Sequence, residues 1–375
     1  MKKSIIWLTG LVVAVVVLAF ISIHRAAPEH QQSGLEPIRI GVVASLTGIA
    51  APWGESMKNG IDLAISQINA VGGVGGRPVQ VIYEDDHTDS KAAISAYRKL
   101  VDVDHVSGII GSVFDFTTQP LLPLAESDKI ALITPPSFRI EGSFELGDHS
   151  FTGLVTFDDM LLHYAQIFDT ENIHKLGIIH FTSSWGTEIS KTFRSLMIES
   201  GKPAPVEEIY NHLGGNDYRT ALTKLKAAGV DAVFFDTLGD DTVNLLKNAK
   251  LLGFYPKFLT YTGNLEAFND QADKSLIEGI ILVNWEVTSP AFNAMYQKAY
   301  AKPAEKSADK GFDALYIMAD AISHTTQRSD VAAYIASHSF TTPNATVSFR
   351  PDHTVVSTPI EIDVVKNGVL VPWNK

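Results

Sequence analysis

The chain has 375 residues, a formal net charge of −12 and no cysteine, and 45% of its residues are hydrophobic. This length is enough for one large or two medium cores, and the composition is that of an ordinary folded protein. Without cysteine there is no disulfide, no thiolate metal site and no cysteine nucleophile. The body of the chain has no basic run, which argues against nucleic acid, because phosphates require clustered Lys and Arg.

The N-terminus combines positive charge with a long apolar run. Lys2 and Lys3 precede the apolar stretch 5–23, which at about 1.5 Å per residue just spans a hydrocarbon core of about 30 Å. The small-x-small spacing of a cleavage site is poor at Ala27, because Arg25 stands two places before it. We therefore predict a transmembrane anchor and linker over 1–37, with the rest of the chain outside the cytoplasm. A cleaved signal segment is the alternative.

The first half of the remaining chain alternates strand-like apolar runs with segments of helix length. This order predicts a mainly parallel sheet with helices on both faces. The predicted strands are 38–43, 78–83, 106–110 and 131–133, and the predicted helices include 57–70 and 90–101.

The same pattern restarts after residue 174, with several helices ended by glycine, which adopts the left-handed C′ conformation without a Cβ clash. Two such units predict two lobes. Ligands bind outside the carboxyl ends of parallel strands, so two facing edges would form a closing cleft. The predicted strands are 175–180, 206–210, 231–235, 257–261 and 280–283, and the predicted helices are 187–200, 218–228 and 242–252.

Four motifs in this order resemble the type I periplasmic solute-binding proteins of branched-chain amino-acid ABC importers. The resemblance extends over nearly the whole chain from Ile38 onward. The motifs are the loop 45–48 (Ser-Leu-Thr-Gly) with Trp53-Gly54, the helix end 68–78, the strand end 83–86 with Asp89, and Ile110-Gly111 followed by Thr118-Gln119-Pro120.

The resemblance implies a fold class: α/β, with two doubly wound parallel-sheet lobes joined by a hinge of three crossings. The crossings would fall near Gly153-Leu154, Val283-Asn284 and Asn344–Thr346. Lobe 1 is then predicted at 38–153 plus 285–344, and lobe 2 at 154–284 plus 345–375.

The resemblance also implies which residues face the ligand. Asp115 and Phe138 stand where the family carries hydroxyl residues that hold an amino acid's carboxylate. Thr262 stands where the family has an acidic partner for the ammonium group, and Trp185 and Gly239 stand at aromatic positions. The full predicted set of ligand-binding residues is Trp53, Val113, Phe114, Asp115, Pro136, Ser137, Phe138, Trp185, Gly239 and Thr262.

These departures from the family pattern change the expected ligand. A ligand carboxylate about 4 Å from Asp115 would meet repulsion of about 4 kcal/mol at an effective dielectric near 20. We therefore expect a neutral or cationic ligand, bound by Asp115 and stacked between Trp53 and Trp185. In the alternative interpretation Asp115 only caps a helix through Thr117 or Thr118, and the neighbouring phenylalanines belong to the core.

No catalytic motif is present, so we expect neither an enzyme nor a cofactor. The cluster 84–87 with Asp89 has oxygen ligands that suit a hard cation, but it follows a strand where the family carries a solvated acidic loop, so no metal is predicted. Asp236, Asp240 and Asp241 would either line the cleft or cap the next helix, and capping is favoured.

The predicted function is capture of a small solute for an ABC importer, with a permease pair and its ATPases as the partners that the family implies. The alternative is a membrane-tethered sensor that passes lobe closure to another protein.

Overall fold

The computed structural model describes residues 35–135, 146–153, 157–211, 215–237, 239–262, 265, 273–285, 288–356 and 360–374. The predicted anchor therefore lies outside the described residues, as do the predicted site residues Pro136, Ser137 and Phe138. Among the described residues, no helix has both the length and the apolar character needed to cross a membrane.

The first sheet is parallel throughout and has the strand order β2-β1-β3-β4-β5. Helices pack on both faces, as predicted from the alternation of strands and helices. The interior strand β1 is buried at nearly every position. The strands are β1 (Ile38–Ala44), β2 (Val79–Asp85), β3 (Gly108–Ile110), β4 (Leu132–Thr134) and β5 (Ser150–Thr152).

The second sheet has the order β14-β13-β10-β9-β8-β6-β7, with parallel strands from β10 to β7 and two antiparallel strands at one edge. These strands are β6 (Leu176–Phe181), β7 (Val206–Tyr210), β8 (Ala232–Asp236), β9 (Lys257–Tyr261), β10 (Ile281–Asn284), β13 (Glu361–Lys366) and β14 (Val369–Pro372). The short strands β11 (Phe340–Thr341) and β12 (Thr346–Val347) pair with each other.

Eleven α-helices are described. Those beside the first sheet come from two separate segments of the chain, 51–128 and 290–337. The helices are α1 (Ala51–Ala70), α2 (Ser90–Arg98), α3 (Asp115–Thr118), α4 (Leu122–Asp128), α5 (Phe157–Thr170), α6 (Ser184–Glu199), α7 (Arg219–Ala228), α8 (Asp240–Leu251), α9 (Pro290–Tyr300), α10 (Ala308–His324) and α11 (Val331–Ser337).

The chain passes three times between the two packing units. The strands β1 to β5 pack with helices α9 to α11, whereas the core of the second sheet includes side chains of α5 and α6. One passage lies between β5 and α5, the second between β10 and α9, and the third between Val355 and β13. Three connections of this kind form a hinge around which two lobes can close.

The segment 345–355 contributes to the core around the first sheet. Val347, Phe349 and Val355 are buried there, although the sequence-based prediction assigned residues 345–375 to the second lobe. Strand periodicity alone does not tell which sheet a short apolar segment will pack against.

Candidate functional site

The carboxyl edge of the first sheet is braced by one buried acid. Asp86 accepts hydrogen bonds from Ser45 Oγ at 2.6 Å and from Ser112 Oγ, and the backbone N–H of Thr88 donates to it at 2.8 Å. These contacts join the loops after β1, β2 and β3. The motif residues therefore hold the loops that lead into α1, where Trp53 lies in the first turn, and into α3, which begins at Asp115.

The neighbouring acids are also used by the protein itself. Asp85 accepts from the backbone N–H of Leu46 and from Thr47 Oγ1, at 2.9 and 2.7 Å. These donors hold the pKa of Asp85 below its usual value, against the raising effect of burial. Asp89 caps α2 by accepting from two backbone amides. Among the described residues, no group of three or more His, Cys, Asp or Glu side chains could hold a metal ion.

Aromatic rings cover this edge of the first lobe. Trp53 lies 5.6 Å from Phe114 between ring centroids, and Phe114 lies 5.7 Å from Phe116, which is 46% exposed. Val113 is buried beneath them. Trp53 and Phe114 are both only partly buried, so they can offer ring surface to a ligand as well as to the core.

Asp115 is the first residue of α3 and is half-buried. Its Oδ1 accepts the backbone N–H of Phe116 at 2.8 Å. The N-cap of this helix is Phe114, and Thr117 Oγ1 rather than Asp115 bonds the cap backbone. The capping role considered for Asp115 is thus performed by Thr117.

The second sheet presents three aligned side chains at its carboxyl edge. His180 and Asp236 are register partners on β6 and β8, and the register of β8 with β9 places Tyr261 opposite Asp236. The Tyr261 hydroxyl donates to Asp236 Oδ1. His180 Nε2 contacts Glu207 at 2.7 Å. This row follows from strand register, since side chains at matched positions of parallel strands share one face.

Trp185 is hydrogen-bonded to this row and does not expose a ring face to solvent. It lies in the first turn of α6, and its Nε1 donates to the Tyr261 hydroxyl at 2.9 Å. The two rings are nearly perpendicular, and Trp185 retains only 9% of its surface exposed. Its hydrogen bond therefore orients Tyr261 toward Asp236.

Asp236 is fully buried, and burial raises its pKa to about 7. The hydrogen bond from Tyr261 and the charge of His180 act in the lowering direction, whereas the charge of Asp115 raises the value further. Asp115 is a residue of the first sheet's carboxyl edge, so the pKa of this second-sheet carboxyl group is influenced by a charge outside its own sheet. Asp236 does not cap α8, because its carboxylate binds Tyr261 and the N-cap Gly239 has no side-chain cap.

The two remaining predicted site residues, Thr262 and Gly239, differ in their burial. Thr262 is buried, and its Oγ1 donates to the carbonyl of Val283 at 3.2 Å and to Asn284 Oδ1 at 2.8 Å. It therefore ties β9 to the end of β10 next to a hinge passage. Gly239 is exposed at φ +56°, a conformation that favours glycine. Without a side chain it can contact a ligand only through its backbone.

Replacing Tyr261 by phenylalanine will test the second-lobe row. The variant leaves Trp185 Nε1 and Asp236 Oδ1 without their shared partner, so we expect the free energy of unfolding to fall by about 2–4 kcal/mol. Chemical denaturation measures the change. The matched control is Tyr255→Phe at an exposed site, for which we expect a change of at most about 0.5 kcal/mol. Equal stability of both variants would contradict a stabilising role for the row.

Two open-edged α/β sheets, three hinge passages and a polar, aromatic-lined pair of carboxyl edges define a two-lobed ligand-binding protein. A sequence profile described as "Periplasmic binding protein" matches residues 37–368. The chain belongs to this family, which comprises binding proteins rather than enzymes and places the chain outside the cytoplasm.

Similar proteins have binding functions. The chain is 28% identical over 261 residues to the leucine-, isoleucine-, valine-, threonine- and alanine-binding protein of Pseudomonas aeruginosa, a match that covers 69% of this chain and 67% of that protein. An amino acid binding protein of the same organism is 26% identical over 239 residues, covering 61% of each chain.

Among solved structures, a leucine-binding protein from Thermotoga maritima has a TM-score of 0.78 at 18% identity, covering 90% of this chain and 98% of that one. This likeness confirms the predicted two-lobed α/β fold with parallel sheets, and the profile match makes the chain a periplasmic binding protein.

Proposed function

We propose that the chain captures a small amino-acid-like, amide, amine or aromatic solute between its two lobes and delivers it to an ABC importer. The observation that carries this proposal is the partly buried aromatic surface of Trp53 and Phe114 beside Asp115, at the carboxyl edge of the first sheet of a chain that belongs to the periplasmic binding protein family. The relatives named for branched-chain and other amino acids support the transport role. The permease and ATPase subunits are the proposed partners, and none of the comparisons favours the sensor alternative.

The chemistry of the described edges argues against an ordinary α-amino acid. Asp115 occupies the position expected for a carboxylate-binding hydroxyl group, and the acid expected in the second lobe is replaced by Thr262, which is engaged with β10. A ligand carboxylate would thus meet a negative charge instead of a donor. Trp53 and Phe114 supply aromatic surface beside Asp115, which suits a flat or cationic group.

The proposed lobes are 38–153 plus 285–355, and 157–284 plus 361–374. A hydrogen-bond network in the first lobe fastens two of the hinge segments. Asp313 accepts from Thr342 Oγ1 at 2.5 Å and from Asn344 Nδ2 at 2.7 Å, and Ser289 Oγ donates to Asn344 Oδ1 at 2.7 Å.

We further propose that residues 1–37 tether the protein to the cytoplasmic membrane.

A thermal-shift screen of the full-length chain in detergent tests this function. The library contains amino acids, amides, amines and aromatic acids. A solute that binds only the native state stabilises it by about 2.7 kcal/mol at a hundred times its dissociation constant, which raises the melting temperature. We expect neutral or cationic solutes to give the largest shifts, and Asp115→Asn to reduce the shift given by cations.

Stabilisation by leucine or valine as large as that given by any amide or amine would contradict the assignment of Asp115 while leaving solute binding intact. Failure of every compound to shift the melting temperature would contradict the proposed function.

A further inference from the structure

One carboxylate oxygen at the carboxyl edge of the second sheet has no hydrogen-bond partner among the residues that the structure describes. Asp236 is fully buried, and its Oδ1 accepts from Tyr261, but its Oδ2 is unpaired. Buried polar atoms are paired in the great majority of cases, because leaving one unpaired costs about 1–3 kcal/mol. A buried and unpaired oxygen of this kind marks a functional site when it lies at a binding edge.

The groups around Asp236 offset its negative charge only in part, because the charge of His180 acts in that direction and the charge of Asp115 acts against it. On β6, His180 is engaged with Glu207, and on β9, Tyr261 donates a single hydrogen bond. On β7, the Tyr210 hydroxyl donates to the backbone carbonyl of Asp236 at 2.5 Å, and on α5, Tyr164 donates to the carbonyl of Thr260. No lysine or arginine among the described residues forms an ion pair with this carboxylate.

The first lobe adds negative charge instead of positive charge. Asp115 is the group from across the cleft whose charge acts on Asp236, and it makes the ionised form of Asp236 less favourable. Two carboxylates that approach from opposite lobes repel each other, unless a cation lies between them. Closure of the lobes is therefore favoured by a positively charged solute and opposed by a negatively charged one.

The partly buried rings of the first lobe suit the same kind of solute. Trp53 and Phe114 lie beside Asp115, whereas the rings of Trp185 and Tyr261 are buried and hold each other by a hydrogen bond. Aromatic faces attract organic cations, and the attraction grows where water is excluded. A metal ion would make little use of these rings, and the described residues offer no set of three ligands for one.

We propose that the solute is an organic cation, and that its positively charged nitrogen is bound by Asp236 Oδ2 of the second lobe and faces Asp115 of the first. This inference rests on the proposed function and names the ligand class for the same cleft. It differs from the sequence-based expectation, which placed the charge recognition on Asp115 alone.

The test uses pairs of compounds that differ in charge but hardly in shape. One pair is choline with 3,3-dimethylbutan-1-ol, and the other is tyramine with 4-ethylphenol. Agmatine and putrescine are added as longer cations. Binding to the full-length chain in detergent is measured by calorimetry. We expect at least one cation to bind about tenfold or more tightly than its neutral counterpart, as expected for a buried charge pair.

Asp236→Asn should abolish that preference, because it removes the charge and nearly preserves the shape. Asp240→Asn, at the exposed start of α8, is the control and should leave the preference unchanged. Cation binding near pH 7 should also release protons from Asp236, since burial raises its pKa to about 7. Calorimetry in two buffers of different ionisation enthalpy detects this release, and it should vanish in Asp236→Asn.

Two results would overturn the assignment. In one, a neutral counterpart binds as tightly as its cation, and in the other, Asp236→Asn retains the full preference. If amino acids or aromatic acids from the larger screen bind while no cation does, the ligand class is wrong but the solute-binding function stands. If no compound of either set binds, both proposals fail together.

Discussion

Asp236→Asn should become more stable than the wild type as the pH rises from 4 to 8. The pKa of Asp236 is raised from 3.8 to about 7 by burial, so the folded state holds the proton more tightly than the unfolded state. The contribution of Asp236 to the stability of the wild type is therefore fully present below about pH 4 and is lost as the pH rises through 7. A shift of about three units corresponds to about 4 kcal/mol.

The measurement is the free energy of unfolding of both proteins by urea at several pH values. The difference between variant and wild type should grow by about 4 kcal/mol over this pH range and level off above pH 8. The control Asp240→Asn is exposed and should show less than about 1 kcal/mol of change. If the difference did not change with pH, the pKa of Asp236 would be the same in the folded and unfolded states. Ionisation of Asp236 would then not destabilise the fold, and the unpaired carboxylate would no longer indicate a binding site for a cation.

Gly60→Ala should destabilise the first lobe strongly, although alanine is the better helix former. Gly60 lies within α1, where replacement by alanine would ordinarily gain about 1 kcal/mol. A Cβ at this position would lie 1.8 Å from the carbonyl oxygen of Ala308, at the start of α10. Since the clashing atom belongs to the backbone, the two helices must move apart, and we expect a net loss of about 2–3 kcal/mol.

Ser66→Ala is the matched control, because Ser66 is exposed on the same helix. It should change stability by no more than about 0.5 kcal/mol. Urea denaturation of the three proteins measures both effects. If Gly60→Ala were as stable as Ser66→Ala, the close approach of α1 and α10 would not be a requirement of the fold.

The loops of the first lobe were largely predictable from the sequence. The residues Ser45, Asp86 and Ser112 stand next to predicted strands, and parallel strands bring their carboxyl ends to one edge. The family resemblance placed Trp53, Phe114 and Asp115 at that edge. The contact between Trp53 in the first turn of α1 and Phe114 at the start of α3 joins two separate segments, so its distance could not be read from the motifs.

The roles in the second lobe were harder to predict. Trp185 was expected to offer a face to the ligand, whereas its indole N–H binds Tyr261 and its ring is mostly buried. Thr262 was considered as a ligand position, and its hydroxyl is used to bond β10. Hydrogen bonds between residues about 20 to 80 positions apart have no periodic signal in the sequence.

The sequence by itself determined the two α/β units and their order, because strand and helix periodicity is a local property of the chain. It also determined that thiol chemistry is excluded, because the chain has no cysteine, and that the body of the chain has no basic run. Only the tertiary structure decided that residues 345–355 cover the first lobe and that Asp236 faces Tyr261 and the charge of Asp115. The pKa of Asp236 depends on how much water burial removes and on charges brought from the other lobe, and both quantities exist only after the chain has folded.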